Sequence, residues 1–495
     1  MNTPLRRVSV AVVILVLALV ANLNWVQVFD AGKYTESSYN PRNQIQQYEV
    51  QRGNIMAGRQ VLAYSKDTGG GRYRYQRIYP KGREYAAVTG YSSLSANSGL
   101  EYYENSMLSG TDDALFANQV SDTITGKKSP GANVITTIDP AVQDTAWNAI
   151  RGTGYPGGAI AIDPKTGKIL AMVTTPTYDP NDLAVHDADA ATRAYNSLNP
   201  DSGNSRLLIK ALGGGGPWPP GSTMKVVDSA AALENGYTPN TSIPAGPSYS
   251  PPDGGNTIYN DVTSICPTAT VTLLEALRDS CNTGFAQLGV KLGWSKIENK
   301  AKAFGLDQQT TIPMLGEDTG MPVTTSTTGN PKGASQVAQS SIGQFNVAQT
   351  PYQEAMTAAA VANDGTSMQP YLVQEIQGSD YSTLRTSSEK VRGRPISADT
   401  ASQLREMMDA VVSDGTGTRA QISGAEDGGK TGTAEHSDVN ANGGETNEHG
   451  WFMGYARVNG DPKVAVGVFI QNAGAGGSSE ATQIGGEIMK AVLGK

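Results

Sequence analysis

A single long apolar run at the front of the chain decides on which side of a membrane the rest can fold. Arg6 and Arg7 precede an apolar stretch from Val8 to about Val28. Its uninterrupted part, Val10 to Ala21, is short for a span, but Leu23, Trp25, Val26 and Val28 extend it to about 20 residues, the length a bilayer requires. The arginines set the N-terminus in the cytoplasm, and Trp25 suits the far interface. The rival reading is a cleaved signal peptide. Cleavage after Ala21 would place Leu19 where a small residue is preferred, so a retained, single-pass anchor is the expectation. Under either reading everything after about residue 30 is exported.

The exported part is large. The chain has 495 residues, enough for two or three domains and at least one substantial core. Hydrophobic content of 38% and charged content of 17% fit a globular protein, and 57 glycines with 26 prolines indicate many turns without low-complexity runs. A net charge of −8 argues against nucleic acid as a partner, because a phosphate-binding surface needs clustered Lys and Arg. Two cysteines, Cys266 and Cys281, in an oxidising space suggest one disulfide. Its loop would contribute ~3 kcal/mol in the chain-entropy model. The alternative is two separate buried thiols.

No internal repeat is present. Arg72-Tyr73-Arg74-Tyr75-Gln76-Arg77 interleaves basic and aromatic residues, as nucleic-acid stacking surfaces do. Its period of two reads better as a strand with tyrosines on one face and arginines on the other. Val134 to Ile138 is a short β-branched strand, and Ala141 to Ile150 a short helix. Ala159 to Val173 reads as strand, tight turn, strand, a β-hairpin. The main boundary therefore falls near residue 150. The expected division is a cytoplasmic tail over 1–7, an anchor over 8–28, a smaller N-terminal domain over 29–150 and the main domain over 151–495. In the last, helical patterns run over Ser222–Leu233, Leu273–Asp279, Tyr352–Ala362 and Asp399–Val412. Lys463 to Gln471 is a buried-type strand and Ala481 to Leu493 a closing helix. This order gives an α+β fold with terminal helices packed on an antiparallel sheet.

Three short motifs carry chemistry. Ser222-Thr223-Met224-Lys225 follows Pro219-Pro220-Gly221, which marks a helix start. Residues i and i+3 share a helix face, so the lysine amine can reach the serine hydroxyl. A serine hydroxyl is a weak nucleophile until a base takes its proton, and a lysine can do so only when burial or neighbouring cations lower its pKa. Ser280-Cys281-Asn282 follows a helical segment and can point a hydroxyl and an amide into one cleft. Lys430-Thr431-Gly432-Thr433 follows the Gly-rich Asp427-Gly428-Gly429; glycine in a strand permits close approach of a ligand backbone, and the lysine and threonine hydroxyls suit a carboxylate. Each motif alone has a bland reading: a solvated lysine near a capping serine, a helix-terminal loop, an edge strand with a bulge.

Together and in this order, the three resemble the Ser-x-x-Lys, Ser-x-Asn and Lys-Thr-Gly set of penicillin-binding proteins and serine β-lactamases. More of the chain agrees. Arg52-Gly53-Asn54-Ile55 looks like the Arg-Gly-x-Ile motif of class B penicillin-binding proteins, and Gly99-Leu100-Glu101 and Thr136-Thr137-Ile138-Asp139 resemble further segments of that region. Ser341-Ile342-Gly343-Gln344, Thr350-Pro351 and Trp451-Phe452 look like transpeptidase-domain signatures. The likeness covers nearly the whole chain and is closest to the actinobacterial penicillin-binding protein A group, associated with septal and polar wall synthesis.

That resemblance implies a serine β-lactamase/penicillin-binding transpeptidase fold with a helical subdomain, preceded by a non-catalytic pedestal. It implies a D,D-transpeptidase that cross-links peptidoglycan stem peptides and is acylated by β-lactams. Ser222 would be the acylated nucleophile and Lys225 its general base. Ser280 would relay a proton to or from the leaving amine, and Asn282 would hold the stem-peptide amide. Lys430, Thr431, Gly432 and Thr433 would bind the terminal carboxylate, and the N–H groups of Ser222 and Thr433 would form the oxyanion hole. A Cys266–Cys281 bond would pin the second motif. No metal or organic cofactor is implied. A membrane glycosyltransferase of the shape, elongation, division and sporulation family is the implied partner, because residues 30 to 150 are too short for a glycosyltransferase domain.

Rivals remain at this point. A β-lactamase needs fast deacylation, and no Glu-x-x-Leu-Asn element lies between Asn282 and Lys430. A D,D-carboxypeptidase would use the same acylation and transfer to water. From another class, a β-lactam sensor would need more spans, and an idle division scaffold should have lost motif residues. The Gly213–Gly216 run before Pro217 reads as a plain surface loop, and none of His186, His436 and His449 falls in a zinc-ligand spacing.

Overall fold

A computed structural model describes residues 3–28, 48–70, 73–115, 120, 124, 126, 129–316, 319–434, 448–474 and 476–495. The apolar run forms one 26-residue helix, Thr3–Val28, and its segment from Arg6 to Val26 is long and apolar enough to cross a membrane. That segment is exposed to its surroundings rather than packed in a core. This is consistent with a membrane anchor.

Two sheets organise the rest. The first has six strands in the order Thr383–Thr386, Val373–Gln377, Asn133–Thr136, Ile55–Ala57, Gln60–Asp67, Tyr75–Ile78. Ile55–Ala57 and Asn133–Thr136 run parallel, and the other neighbours are antiparallel. Two of its strands come from far down the chain, so long-range pairing completes the N-terminal sheet. The basic-aromatic segment enters it only from Tyr75; residues 71–72 lie outside the described residues.

A buried ion network ties this layer together. Arg52 Nε donates to Glu101 Oε2 at 2.6 Å, Arg77 Nε donates to Glu101 Oε1 at 2.5 Å, and the Tyr79 hydroxyl donates to Glu101 Oε1 at 3.1 Å. Burial pushes the Glu101 carboxyl up, but the two guanidiniums outweigh it and hold the group below the ordinary range. The Arg52 and Glu101 motifs, far apart in sequence, thus meet at one carboxylate.

The second sheet is wholly antiparallel: Glu426–Ala434, His449–Val458, Asp461–Ile470, Gly157–Ile162, Ile169–Thr175. Alternation along its strands feeds two cores. Phe452, Val466 and Val468 pack with Ile484 and Ile488 of the closing helix Gly477–Val492. Met453, Tyr455 and Ala465 pack on the other face with Ala358, Met407 and Met408. The helix Pro351–Ala362 is buried at every residue, as its alanines and lack of charge beyond Glu354 allow. The helix Pro140–Gly152 also packs on this second sheet, beside the closing helix. The Gly213–Gly216 run is not a plain surface loop at its start, where Gly213 is buried.

Candidate active site

The first motif sits at a helix start built in two steps. Gly221–Thr223 makes a single 3-10 turn, and Met224–Leu233 continues as an α-helix. Ser222 and Lys225 therefore stack on one face, with Ser222 8% exposed at the cleft floor and Lys225 fully buried. Lys225 Nζ lies 3.0 Å from Ser222 Oγ.

Two further oxygens hold the same amine. Lys225 Nζ donates to the Ser280 carbonyl at 2.8 Å and to Asn282 Oδ1 at 2.7 Å. Asn282 is oriented by its own amide nitrogen, which donates to Asp261 Oδ1 at 2.9 Å and to the Tyr259 carbonyl at 3.2 Å. Neither partner oxygen of Lys225 carries a proton, so each takes an N–H. Burial, aided by the Lys430 charge, pushes the Lys225 amine well below its ordinary pKa, against the pull of Asp261 and Asp228. A neutral amine has two hydrogens and one lone pair. In that form, with both hydrogens on Ser280 O and Asn282 Oδ1, its one lone pair would face the Ser222 hydroxyl at 3.0 Å, with Ser280 Oγ a longer neighbour at 3.2 Å. The arrangement can take a proton from a serine.

The second motif is bent into place. Ser280 has a positive φ of 62°, which turns its carbonyl toward Lys225, and Asn282 opens the helix Asn282–Leu292. Cys266 and Cys281 form a disulfide with a Cα–Cα distance of 6.1 Å, tying the segment around Asp261 to this motif.

The third motif lies in Glu426–Ala434, the edge strand of the second sheet. Lys430 is fully buried, and its Nζ donates to the Thr431 carbonyl at 3.0 Å and approaches Thr431 Oγ1 at 3.3 Å. Burial pushes Lys430 down to about 7, with Asp261 and Asp279 opposing. Thr431 Oγ1 pairs with Thr416 Oγ1 at 2.7 Å. Trp451 Nε1 donates to the Pro219 carbonyl at 2.9 Å, stapling the sheet to the turn before Ser222. Gly343, from the Ser-Ile-Gly-Gln segment, accepts through its carbonyl from Gly221 N at 3.0 Å.

All three motifs therefore face one cleft. Sequence reasoning passed over Asp261, Thr416 and Glu354. Glu354 accepts from Thr223 Oγ1 at 2.7 Å, and burial pushes it up to about 8. Asp261 and Thr416 lie in loops, where no periodicity marks them. Glu354 carried a readable signal, being the lone charge in an alanine-rich helix. His186 approaches the Tyr75 carbonyl, His449 Nδ1 accepts from Asn472 N, and His436 lies outside the described residues. Among the described residues no group of three or more His, Cys, Asp or Glu is placed to hold a metal.

An antiparallel sheet bearing Lys-Thr-Gly on its edge, with a buried Ser–Lys pair opposite, defines a serine acyl-transferring enzyme of the transpeptidase and β-lactamase fold. The chain belongs to the penicillin-binding protein transpeptidase family. Residues 157–490 match the penicillin binding protein transpeptidase domain, and residues 52–134 match the penicillin binding protein A dimerisation domain. The chain is 42% identical over 502 residues to the peptidoglycan D,D-transpeptidase PbpA of Mycolicibacterium smegmatis, covering 100% of this chain and 99% of the relative. Identity to PbpA of Mycobacterium tuberculosis is 38% over 502 residues, with the same coverage. The crystal structure of PBPA from Mycobacterium tuberculosis superposes with a TM-score of 0.82 at 37% identity, over 90% of this chain and 100% of that one. The penicillin G acyl-enzyme complex of penicillin-binding protein A from M. tuberculosis superposes with a TM-score of 0.80, at 37% identity and the same coverage.

Proposed function

We propose that this chain is a penicillin-binding peptidoglycan D,D-transpeptidase in which Ser222 is the acylated nucleophile and Lys225 its general base. The observation that carries the reading is the buried Lys225 amine, 3.0 Å from Ser222 Oγ and fixed there by Ser280 O at 2.8 Å and Asn282 Oδ1 at 2.7 Å. The proton of Ser222 passes to Lys225 as Oγ bonds to the penultimate D-Ala carbonyl carbon. The N–H groups of Ser222 and Thr433 hold the resulting oxyanion. The carbon–nitrogen bond to the terminal D-Ala then breaks, and that amine takes a proton through Ser280. Lys430, Thr431, Gly432 and Thr433 hold the terminal carboxylate, and Asn282 the stem-peptide amide. An acceptor amine from a second strand attacks the ester, loses its proton, and releases Oγ to recover one. A β-lactam mimics the donor and stays on Ser222.

The same reading assigns residues 1–7 to the cytoplasm, 8–28 to a single span, 29 to about 139 to a pedestal, and the rest to the extracytoplasmic transpeptidase domain, which takes in the helix Pro140–Gly152 and lends Val373–Gln377 and Thr383–Thr386 to the pedestal's sheet. Glycan polymerisation falls to a separate membrane glycosyltransferase of the shape, elongation, division and sporulation family. The full chain in detergent, given a donor stem peptide and an amine acceptor, should release D-Ala and form the cross-linked product. Release of D-Ala with water as sole acceptor would make it a D,D-carboxypeptidase, and rapid turnover of bound penicillin a β-lactamase.

A further inference from the structure

Part of the cleft wall belongs to none of the three motifs. The segment around Asp261 is clamped to the second motif at several points. Cys266 is bonded to Cys281. Asn260 Oδ1 accepts from Thr283 N at 3.1 Å, and its amide nitrogen donates to the carbonyls of Gly246 at 3.1 Å and Ile265 at 2.9 Å. Asn282 holds both Tyr259 O and Asp261 Oδ1. The Asp261 carboxylate is therefore exposed yet fixed in place.

Its surroundings have a definite chemistry. Asp261 lies within the field of both buried lysines, Lys225 and Lys430. Asp228 is buried inside the Ser222 helix, and Asp279 is spoken for by two hydrogen bonds from Arg278 at 2.8 Å each. Among the described residues, Asp261 is the acidic group at this mouth that forms no ion pair. Tyr259 and Val262 beside it are 65% and 55% exposed, and together they put apolar surface next to the carboxylate on a segment that is held in place. A fixed carboxylate flanked by apolar surface suits an alkyl chain that ends in an ammonium: the methylenes cover the apolar shoulder and the charge meets the carboxylate.

We propose that Asp261, with Tyr259 and Val262, is a specificity site for an alkylammonium group of the peptidoglycan stem peptide. The inference rests on the transpeptidase reading and deepens it. The ammonium can come from a side chain of the donor or from the amine-bearing chain of the acceptor. Asp261→Asn removes the charge and keeps an oxygen for Asn282, and Asp261→Glu restores the charge. The full chain is assayed with a donor thioester peptide carrying a free side-chain amine and with the same peptide acetylated on that amine. Each ratio is taken within one variant, so any effect of Asp261 on the lysines cancels. For a donor site, the free-amine preference in kcat/KM falls at least about fivefold in Asp261→Asn and returns in Asp261→Glu. For an acceptor site, the partition of the acyl-enzyme between an added diamine and water falls by a similar factor instead. Both ratios staying within twofold of wild type would overturn the proposal alone. Wild-type chain that takes neither donor on Ser222 would overturn the transpeptidase reading and this proposal with it.

Discussion

A Cβ placed on Gly221 would stand 2.2 Å from the carbonyl oxygen of Thr433, so the first motif and the third touch through bare backbone. Gly221 also has a φ of +57°, which a side chain resists. The close approach brings the Ser222 turn against the edge strand, and it sets where an oxyanion could sit between them. Gly221→Ala should therefore push the strand off the turn. We expect its second-order acylation by benzylpenicillin to drop by about 100-fold or more, the scale of losing an oxyanion donor. Stopped-flow acylation checks this, and a rate within twofold of wild type would mean the contact has no bearing on the reaction.

Lys430 gives the cleft a pH limit. With burial setting it at about 7, the group is cationic below that value and neutral above it. Burial and the Lys430 charge hold the Lys225 amine well below its ordinary value, so the two lysines do not titrate independently. Acylation by a carboxylate-bearing β-lactam should then decline as pH rises through about 7, because the cation that meets the carboxylate is lost. Lys430→Arg keeps a charge throughout, so its lower rate should lose that decline. The pH profile of kcat/KM for both proteins is the check.

Glu354 should make stability pH-dependent. Its folded value, about 8, lies above the ordinary 4.5, so the native state keeps a proton that the unfolded chain releases. Stability is full below about pH 4.5 and declines as pH rises toward 8. At about 1.4 kcal/mol per unit, the loss from pH 5 to 8 is on the order of 3–4 kcal/mol. Glu354→Gln keeps the acceptor for Thr223 and cannot ionise. Urea titrations at the two pH values should show the wild type losing stability that the variant retains.

Glu101 neutralises two buried guanidiniums, Arg52 and Arg77. Glu101→Gln leaves both charges without a counter-ion, at a cost of about 3–5 kcal/mol. Thermal melts should show the fall, and a shift of under a degree would mean the network is replaceable.

The motif order, the hairpin over 159–173 and the closing helix could be read from sequence because each is local: a spacing of three on a helix, or a period of two on a strand. The meeting of Arg52 with Glu101 could not, since each motif only hinted at a family likeness. Nor could the pairing of Val373–Gln377 with Asn133–Thr136, which brings together strands about 240 residues apart in the chain. Within the site, Ser222 and Lys225 were legible from one helical turn. Asp261 was not, because a polar loop residue gains its meaning only from the Asn282 amide and the disulfide that fix it.

The most direct test is intact and peptide-level mass spectrometry of the full chain in detergent after benzylpenicillin treatment, beside Ser222→Ala and Lys225→Ala. The account predicts one penicilloyl group per chain, on the peptide holding Ser222, lasting many minutes, absent from Ser222→Ala and formed far more slowly in Lys225→Ala. An adduct on another residue, or folded wild-type protein left unmodified, would contradict it.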